Sequence, residues 1–173
     1  MSLQLPGFRF HPTGESILTN PPLSWLLLLG ALTAFAPMSI DMYLPSLPAI
    51  AAAFATDSAA AQYTLASFFI GLALGQAVYG PLADRYGRKP PLYAGLALYI
   101  VASIGCALAP DIATLTVLRF VQAIGGCAGV VIARAVVRDR FDARTSAKIY
   151  SLLMLVMGLA PILAPIMGGW ILA

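Results

Sequence analysis

Long stretches without any charged residue restrict this chain more than any other feature of its sequence. Residues 23–40, 58–83 and 149–173 contain no Asp, Glu, Lys or Arg. Soluble domains carry about 25% charged residues, whereas this chain of 173 residues has only 10% and is 60% apolar. Such a composition indicates a protein that folds in a lipid bilayer.

The type of secondary structure follows from the lack of water in the bilayer. Backbone polar groups there must be satisfied inside a helix or a closed barrel. Barrel strands alternate between apolar and polar residues, but the runs in this sequence are continuously apolar. We therefore predict an all-α membrane protein.

Five segments reach the ~20 residues that a helix needs to cross the hydrocarbon core. The predicted spans are residues 23–44, 60–83, 91–109, 112–133 and 149–173. Pro37 is expected to bend the first span near its outer end, because it removes a backbone hydrogen bond. Residues 1–22 are mixed and polar, and are predicted to form an N-terminal cytoplasmic tail.

The basic residues between the spans predict their orientation. Two of the four connections hold eight Lys and Arg residues, namely Arg85, Arg88, Lys89, Arg134, Arg138, Arg140, Arg144 and Lys148. The other two connections hold none. Lys and Arg accumulate on the cytoplasmic side of membrane proteins, so the basic connections and the N-terminus are predicted to be cytoplasmic. This placement also explains the net charge of +3, and no nucleic-acid partner is expected.

Two charged residues, Asp41 and Arg119, fall inside predicted spans. Counting from the span ends puts both roughly 6–10 Å below the outer surface, where they could face one another. Ionisable residues in the membrane are costly and are functional candidates. Alternatively, Asp41 only ends its helix at the interface and Arg119 extends its charge outwards. The nearby Gln122 offers hydrogen bonds either to a substrate or to another helix.

The connection after the second span carries small and charged residues at fixed spacing. They are Gly80, Asp84, Arg85, Gly87, Arg88 and Lys89. This pattern resembles the signature between spans two and three of the major facilitator superfamily. The resemblance implies a conformational latch, and the alternative is a cluster that only sets topology.

Two further motifs resemble this superfamily. Leu115, Arg119, Gln122 and Gly125 are spaced as in the span-four motif of proton-coupled members, although Ala123 replaces the usual Gly. The resemblance implies a part in proton coupling for Arg119. The fifth span resembles the helix-packing motif of drug:proton antiporters, with Ala at position 164 instead of Gly; its residues are Gly158, Pro161, Pro165, Gly168 and Gly169.

Residues 41–48 and 133–141 look like the Bcr/CflA branch of drug efflux transporters. By position, the resemblance gives Asp41 a role in proton and substrate binding. It covers about residues 23–173 and implies a multi-pass protein of the plasma (inner) membrane. Its function would be multidrug efflux by proton antiport, with small drug-like molecules, protons and the bilayer as partners.

Such transporters have twelve spans in two halves of six, and five spans are predicted for this chain. We therefore expect a fragment of an N-terminal half that needs the missing C-terminal helices and transports nothing alone. Two alternatives stay open: a small structural or regulatory membrane protein that docks on another transporter, and part of a metabolite transporter.

The sequence has no nucleophile–base pair or metal-ligand cluster, so neither an enzyme nor a cofactor is expected. Cys106 and Cys127 are expected to be packing residues.

Overall fold

Helices account for nearly all of residues 22–172, which are the residues that the computed structural model describes. The helices are α1 (Leu23–Asp41), α2 (Leu47–Ala53), α3 (Ser58–Tyr86), α4 (Lys89–Ala107), α5 (Ile112–Arg140) and α6 (Ala143–Leu172). A 3-10 turn, Leu44–Ser46, joins α1 to α2. Counting α1 with α2, five helical segments are long and apolar enough to cross a membrane. The all-α prediction with five spans is confirmed, while the predicted tail lies outside the described residues except for Pro22.

The helices differ from the predicted spans at their ends. The first span was predicted to run to Leu44, but α1 ends at Asp41 and helical structure resumes after it. Pro45 and Pro48 do not prevent helical structure, because each lies in the first turn of a new helical element. A proline is tolerated there since that N–H has no partner within the helix.

Most of the basic residues lie on helices and not in loops. Because α5 continues to Arg140 and α6 begins at Ala143, the predicted connection 134–148 shrinks to Phe141 and Asp142. Charged side chains leave the backbone hydrogen bonds of a helix intact, so charge alone does not end it. Arg and Lys in a last turn also interact favourably with the helix dipole.

Aspartates begin three of the helices. The Asp57 carboxylate accepts a hydrogen bond from the backbone N–H of Ala60 (2.7 Å), and Asp111 accepts one from Thr114 (2.8 Å); Asp142 caps α6 in the same way. Such caps satisfy otherwise unpaired N–H groups of the first turn. The bonds from Thr114 lower the pKa of Asp111, so this cap is lost only when the pH falls below the ordinary range of an aspartate.

Helix α5 forms the centre of the bundle. In its most apolar stretch 67% of the residues are buried, against 17–22% of the residues in the corresponding stretches of the other four spans. It packs mainly on α3 and α4 and also on α1, while α1 and α6 pack together. Small residues make this possible, since Ala123, Ala128 and Ala133 of α5 are fully buried and let neighbouring backbones come close.

Glycines provide the closest approaches between helices. A side chain at Gly71 or Gly75 of α3 would overlap α5, so the two helices lie in close contact there. Gly80, one or more turns further along α3, differs from them, because none of the described residues comes near enough to meet a side chain there. On α5, a Cβ at Gly125 would lie 2.6 Å from the backbone nitrogen of Tyr99 on α4.

Replacement of Gly125 by Ala tests whether this contact holds α4 against α5. The added methyl group would meet backbone atoms, which cannot move aside as a side chain can, so we expect a loss of about 1–3 kcal/mol in stability. Gly158→Ala on α6 is the control, because its methyl group meets no atom within 4 Å and Ala favours helix by up to ~1 kcal/mol. Unfolding of the two variants in mixed detergent micelles, followed by circular dichroism, measures the difference. Equal effects of the two substitutions would contradict this account of the packing.

Candidate functional site

Arg119 lies in the interior of the bundle, with 4% of its surface exposed. Its Nη1 donates a hydrogen bond to Oε1 of Gln122 (2.7 Å), and its Nη2 donates one to the backbone carbonyl of Ser39 (3.2 Å). The rings of Tyr43 and Phe68 have their centroids 4.0 and 4.3 Å from the guanidinium carbon, and aromatic faces attract cations. The guanidinium is thus held by neutral groups and does not extend to the surface.

A chain of hydrogen bonds fixes the partners of Arg119. Nε2 of Gln122 donates to Oγ of Ser103 on α4, which donates to the backbone carbonyl of Tyr99 (both 2.7 Å). Oγ of Ser39 donates to the carbonyl of Phe35, so the Tyr99 hydroxyl is the donor in its 2.7 Å bond to Ser39. The chain joins α1, α4 and α5. Both ends of the Gln122 amide are used in it, which makes Gln122 a residue that positions Arg119.

One donor of Arg119 stays unused beside a cavity. Its Nε is buried and has no hydrogen-bond partner in the described part of the chain. A cavity of about 270 Å³ adjoins the residue. It is lined by Ser39, Met42, Tyr43, Ser46, Tyr99, Arg119, Gly168 and Ile171. A cation with spare hydrogen-bonding capacity at such a cavity is suited to an acceptor group of a ligand.

Asp41 and Arg119 do not form the expected pair. Asp41 is the last residue of α1 and is partly exposed. No salt bridge joins the two residues, and Arg119 contacts Ser39 and Tyr43 instead, which flank Asp41 in the sequence. Side chains two residues apart on a helix point to different sides. With Ser39 next to α5, the Asp41 side chain therefore points away from Arg119.

Arg88 joins three helices at the predicted cytoplasmic end. Its Nη1 bonds to Asp84 at the end of α3 (2.7 Å), and its Nη2 and Nε bond to Asp139 near the end of α5 (2.7 and 2.8 Å). Burial lowers the pKa of Arg88, but the hydrogen bonds to the two carboxylates outweigh this effect and raise it. Sequence reasoning missed Asp139, although an acid among the basic residues of that helix end was a usable signal.

The other residues of this turn have separate roles. Gly87 ends α3 with a φ of 83°, a backbone conformation that a side chain disfavours, so the motif needs glycine at this position. Arg85 and Lys89 are exposed, and Arg85 lies over the ring of its neighbour Tyr86 at 5.4 Å. Neither takes part in the bridge made by Arg88.

Only part of the fifth-span motif mediates helix packing. Gly168 meets the backbone carbonyl of Met42 just after α1, and a side chain there would overlap it. Ala164 is fully buried and Ala160 nearly so, and all three lie on one face of α6 because they are spaced by four residues. Alanine at position 164 therefore fulfils the requirement for a small residue.

The two other glycines of that motif lie in open space among the described residues. A side chain at Gly158 or Gly169 would meet nothing within 4 Å among the described residues. Pro161 and Pro165 lie inside α6, which continues through both of them.

Comparison with known proteins agrees with this geometry. The sequence model of the Major Facilitator Superfamily matches residues 15–173. The chain belongs to this superfamily and is a multi-pass membrane protein.

Its relatives include transporters named for drug resistance. The chain is 41% identical over 162 residues to an uncharacterized MFS-type transporter, YdgK, of Bacillus subtilis, covering 94% of this chain and 39% of that protein. It is 39% identical over 147 residues to a bicyclomycin resistance protein homolog of Haemophilus influenzae (85% and 37% covered). It is 38% identical over 148 residues to the multidrug resistance protein MdtL of Escherichia coli (86% and 38% covered). The chain thus spans about two fifths of the length of these relatives.

Asp139→Asn tests the bridge made by Arg88. The pair is partly exposed, with 22% and 40% of the two side chains accessible, so solvent screening limits the expected loss of stability to about 0.2–1 kcal/mol. The loss should shrink at high salt, because salt screens exposed ion pairs. The matched control is Asp57→Asn, since asparagine caps a helix as well as aspartate does. Thermal unfolding at two ionic strengths measures both variants, and a loss that does not depend on salt would contradict an electrostatic role.

Gly168→Val and Gly169→Val form a matched pair on neighbouring positions of α6. The first valine would overlap the carbonyl of Met42 and push α6 away from α1, whereas the Cβ of the second meets nothing within 4 Å among the described residues. We expect the first variant to lose about 1–3 kcal/mol of stability and the second to change little. A cysteine cross-link between α1 and α6 measures the separation of the helices. Similar cross-linking in both variants would show that Gly168 does not hold them together.

Proposed function

We propose that this chain supplies helices of the N-terminal half of a transporter that exports drug-like molecules in exchange for protons. Buried Arg119 carries the proposal. It is a charge kept inside the membrane by Gln122, the Ser39 carbonyl and two aromatic rings, with no carboxylate bonded to it among the described residues. Burying a charge in the membrane is energetically unfavourable, so an ionisable residue at such a position indicates a transport role.

The position of Asp41 suggests how proton binding is linked to movement. Arg119 is bonded to the carbonyl of Ser39, two residues before Asp41. A shift of this end of α1 would therefore change the surroundings of the Asp41 carboxylate and the contacts of Arg119 together. In the proposed cycle, Asp41 takes up a proton on the outer side and releases it on the inner side when this helix end moves. Arg88 and its two carboxylates serve as the latch at the other end of the bundle.

The choice of substrate class rests on the relatives. Two of them are named for resistance to bicyclomycin and to multiple drugs. Since this chain spans about two fifths of their length, we propose that transport requires further helices beyond the five described. These helices would complete the substrate path between two halves.

Efflux assays test the proposal. The 173-residue chain and the same chain extended through its genomic reading frame are expressed in cells that lack their own pumps, and export of a drug panel is followed with and without a proton gradient. We expect only the extended protein to export. Asp41→Asn and Arg119→Lys should each reduce export by about tenfold or more. An asparagine amide cannot take up a proton, and the single nitrogen of lysine cannot reproduce the planar fork with which the guanidinium reaches two separate acceptors. Asp57→Asn, at the cap of α3, is the control and should export normally.

The outcomes separate the candidate functions. Export by the short chain alone would contradict the need for further helices. Export that does not respond to the gradient would contradict proton antiport. If neither protein exports any drug while the extended one takes up a metabolite, the drug assignment is wrong and a metabolite transporter replaces it.

A further inference from the structure

Arg134 lies on α5 at the opposite end from Arg119, about 22 Å away at the ~1.5 Å rise per residue of a helix. It lines two adjoining cavities of about 290 and 170 Å³ that share Gln76, Val130 and Arg134. We call the joined cavities the Arg134 cleft. The smaller cavity has apolar walls from α1, α3 and α5 and also touches Met157 of α6.

The guanidinium of Arg134 is exposed and has no carboxylate partner among the described residues. Its side chain makes one weak contact, from Nη2 to the sulfur of Met157 at 3.9 Å. The backbone of Arg134 is held firmly, because the Tyr150 hydroxyl donates a hydrogen bond to its carbonyl (3.0 Å). The side chain of Arg134 thus extends its cation to the cleft from a backbone that is held in place.

The other charges around the cleft have partners. The larger cavity is lined by Arg88, Arg134, Arg138 and Asp84. Asp84 is bonded to Arg88, which also bonds to Asp139, and Arg138 lies 3.7 Å from Asp139. The wall therefore carries an excess of positive charge, and its single carboxylate is already paired with Arg88.

From this charge pattern we infer that the Arg134 cleft binds amphipathic molecules through a carboxylate or similar anionic group and disfavours cationic ones. The inference rests on the proposed transport function and names the substrate class of the exporter. Guanidinium binds carboxylates through two parallel hydrogen bonds, and an unpaired positive charge repels a cation. The apolar walls would receive the rest of the molecule, as is usual for ligand sites with a few polar groups.

A lipid phosphate has the same chemistry as the proposed ligand group. The substrate is favoured as the occupant because the smaller cavity extends between helices past Pro37, Ile40 and Leu72. This apolar space suits the body of an organic molecule better than a headgroup. The test must nevertheless distinguish the two sources.

Equilibrium binding of three matched fluorescent probes provides the test. Dansylglycine carries a carboxylate, dansylglycinamide is neutral, and dansylethylenediamine carries an amine. Binding is measured by fluorescence anisotropy to the chain in nanodiscs of phosphatidylcholine. We expect dansylglycine to bind at least about tenfold more tightly than the other two, which corresponds to one charge-assisted hydrogen-bonded pair.

Variants assign the preference to one residue. Arg134→Gln should remove the tenfold preference, and Arg134→Lys should retain part of it because the charge remains. Arg144→Gln removes the same charge from an exposed position on α6 outside the cleft and should leave the preference intact. Circular dichroism confirms that each variant is folded. Equal affinities for the three probes, or an equal effect of Arg144→Gln, would overturn the inference.

Two further arms separate the remaining possibilities. If anionic phosphatidylglycerol in the nanodiscs abolishes dansylglycine binding in the unmodified chain, the lipid is the occupant and the inference fails. Continued binding of dansylglycine in those discs supports the inference.

Because binding is measured without a proton gradient, a loss of gradient-driven export with intact probe selectivity would contradict only the proposed antiport. Export with no preference for anionic drugs would contradict only the role of Arg134.

Discussion

Close packing of α5 against its neighbours is the contact on which the rest of the bundle depends. In a bilayer the lipid tails are as apolar as the side chains, so helices are not driven together by water and must fit closely to associate. The buried alanines of α5, together with Gly125, allow this fit on several sides at once. As a consequence, the groups on α1, α3 and α4 that hold Arg119 are all brought within reach of one side chain.

Three arginines, namely Arg88, Arg119 and Arg134, are held in different ways. Arg88 is neutralised by two carboxylates near the end of the bundle, where water reaches the pair. Arg119 is held by uncharged acceptors and aromatic rings, which lower the cost of burying a charge without cancelling the charge itself. Arg134 faces a cleft with no bonded carboxylate among the described residues. The charge of Arg88 is thus balanced by carboxylates, whereas the charges of Arg119 and Arg134 have no bonded carboxylate among the described residues.

The C-terminal end of α1 and the residues just after it contact several helices at once. Within a few residues, Ser39 binds Arg119, Tyr43 bonds to Thr64 of α3 (2.7 Å), and Met42 meets Gly168 of α6. Helical structure is interrupted between Asp41 and Leu44, so this segment has fewer internal hydrogen bonds than a continuous helix. A movement there would reach three helices at once, and the proposed transport cycle depends on such a movement.

The sequence by itself determined the five membrane helices and the positions of the motifs, because these follow from local composition. Each apolar run must satisfy its own backbone, and so becomes a helix whatever surrounds it. The sequence also placed Arg119 within a span, but the burial of its guanidinium, as opposed to an outward extension, was decided by the structure. Tertiary structure alone decided which groups meet across helices: Asp139 with Arg88, Ser39 and Tyr43 with Arg119, and the separation of Asp41 from Arg119. These outcomes depend on how each helix is rotated and shifted against the next, and that is set by the packing of many small residues from distant parts of the chain.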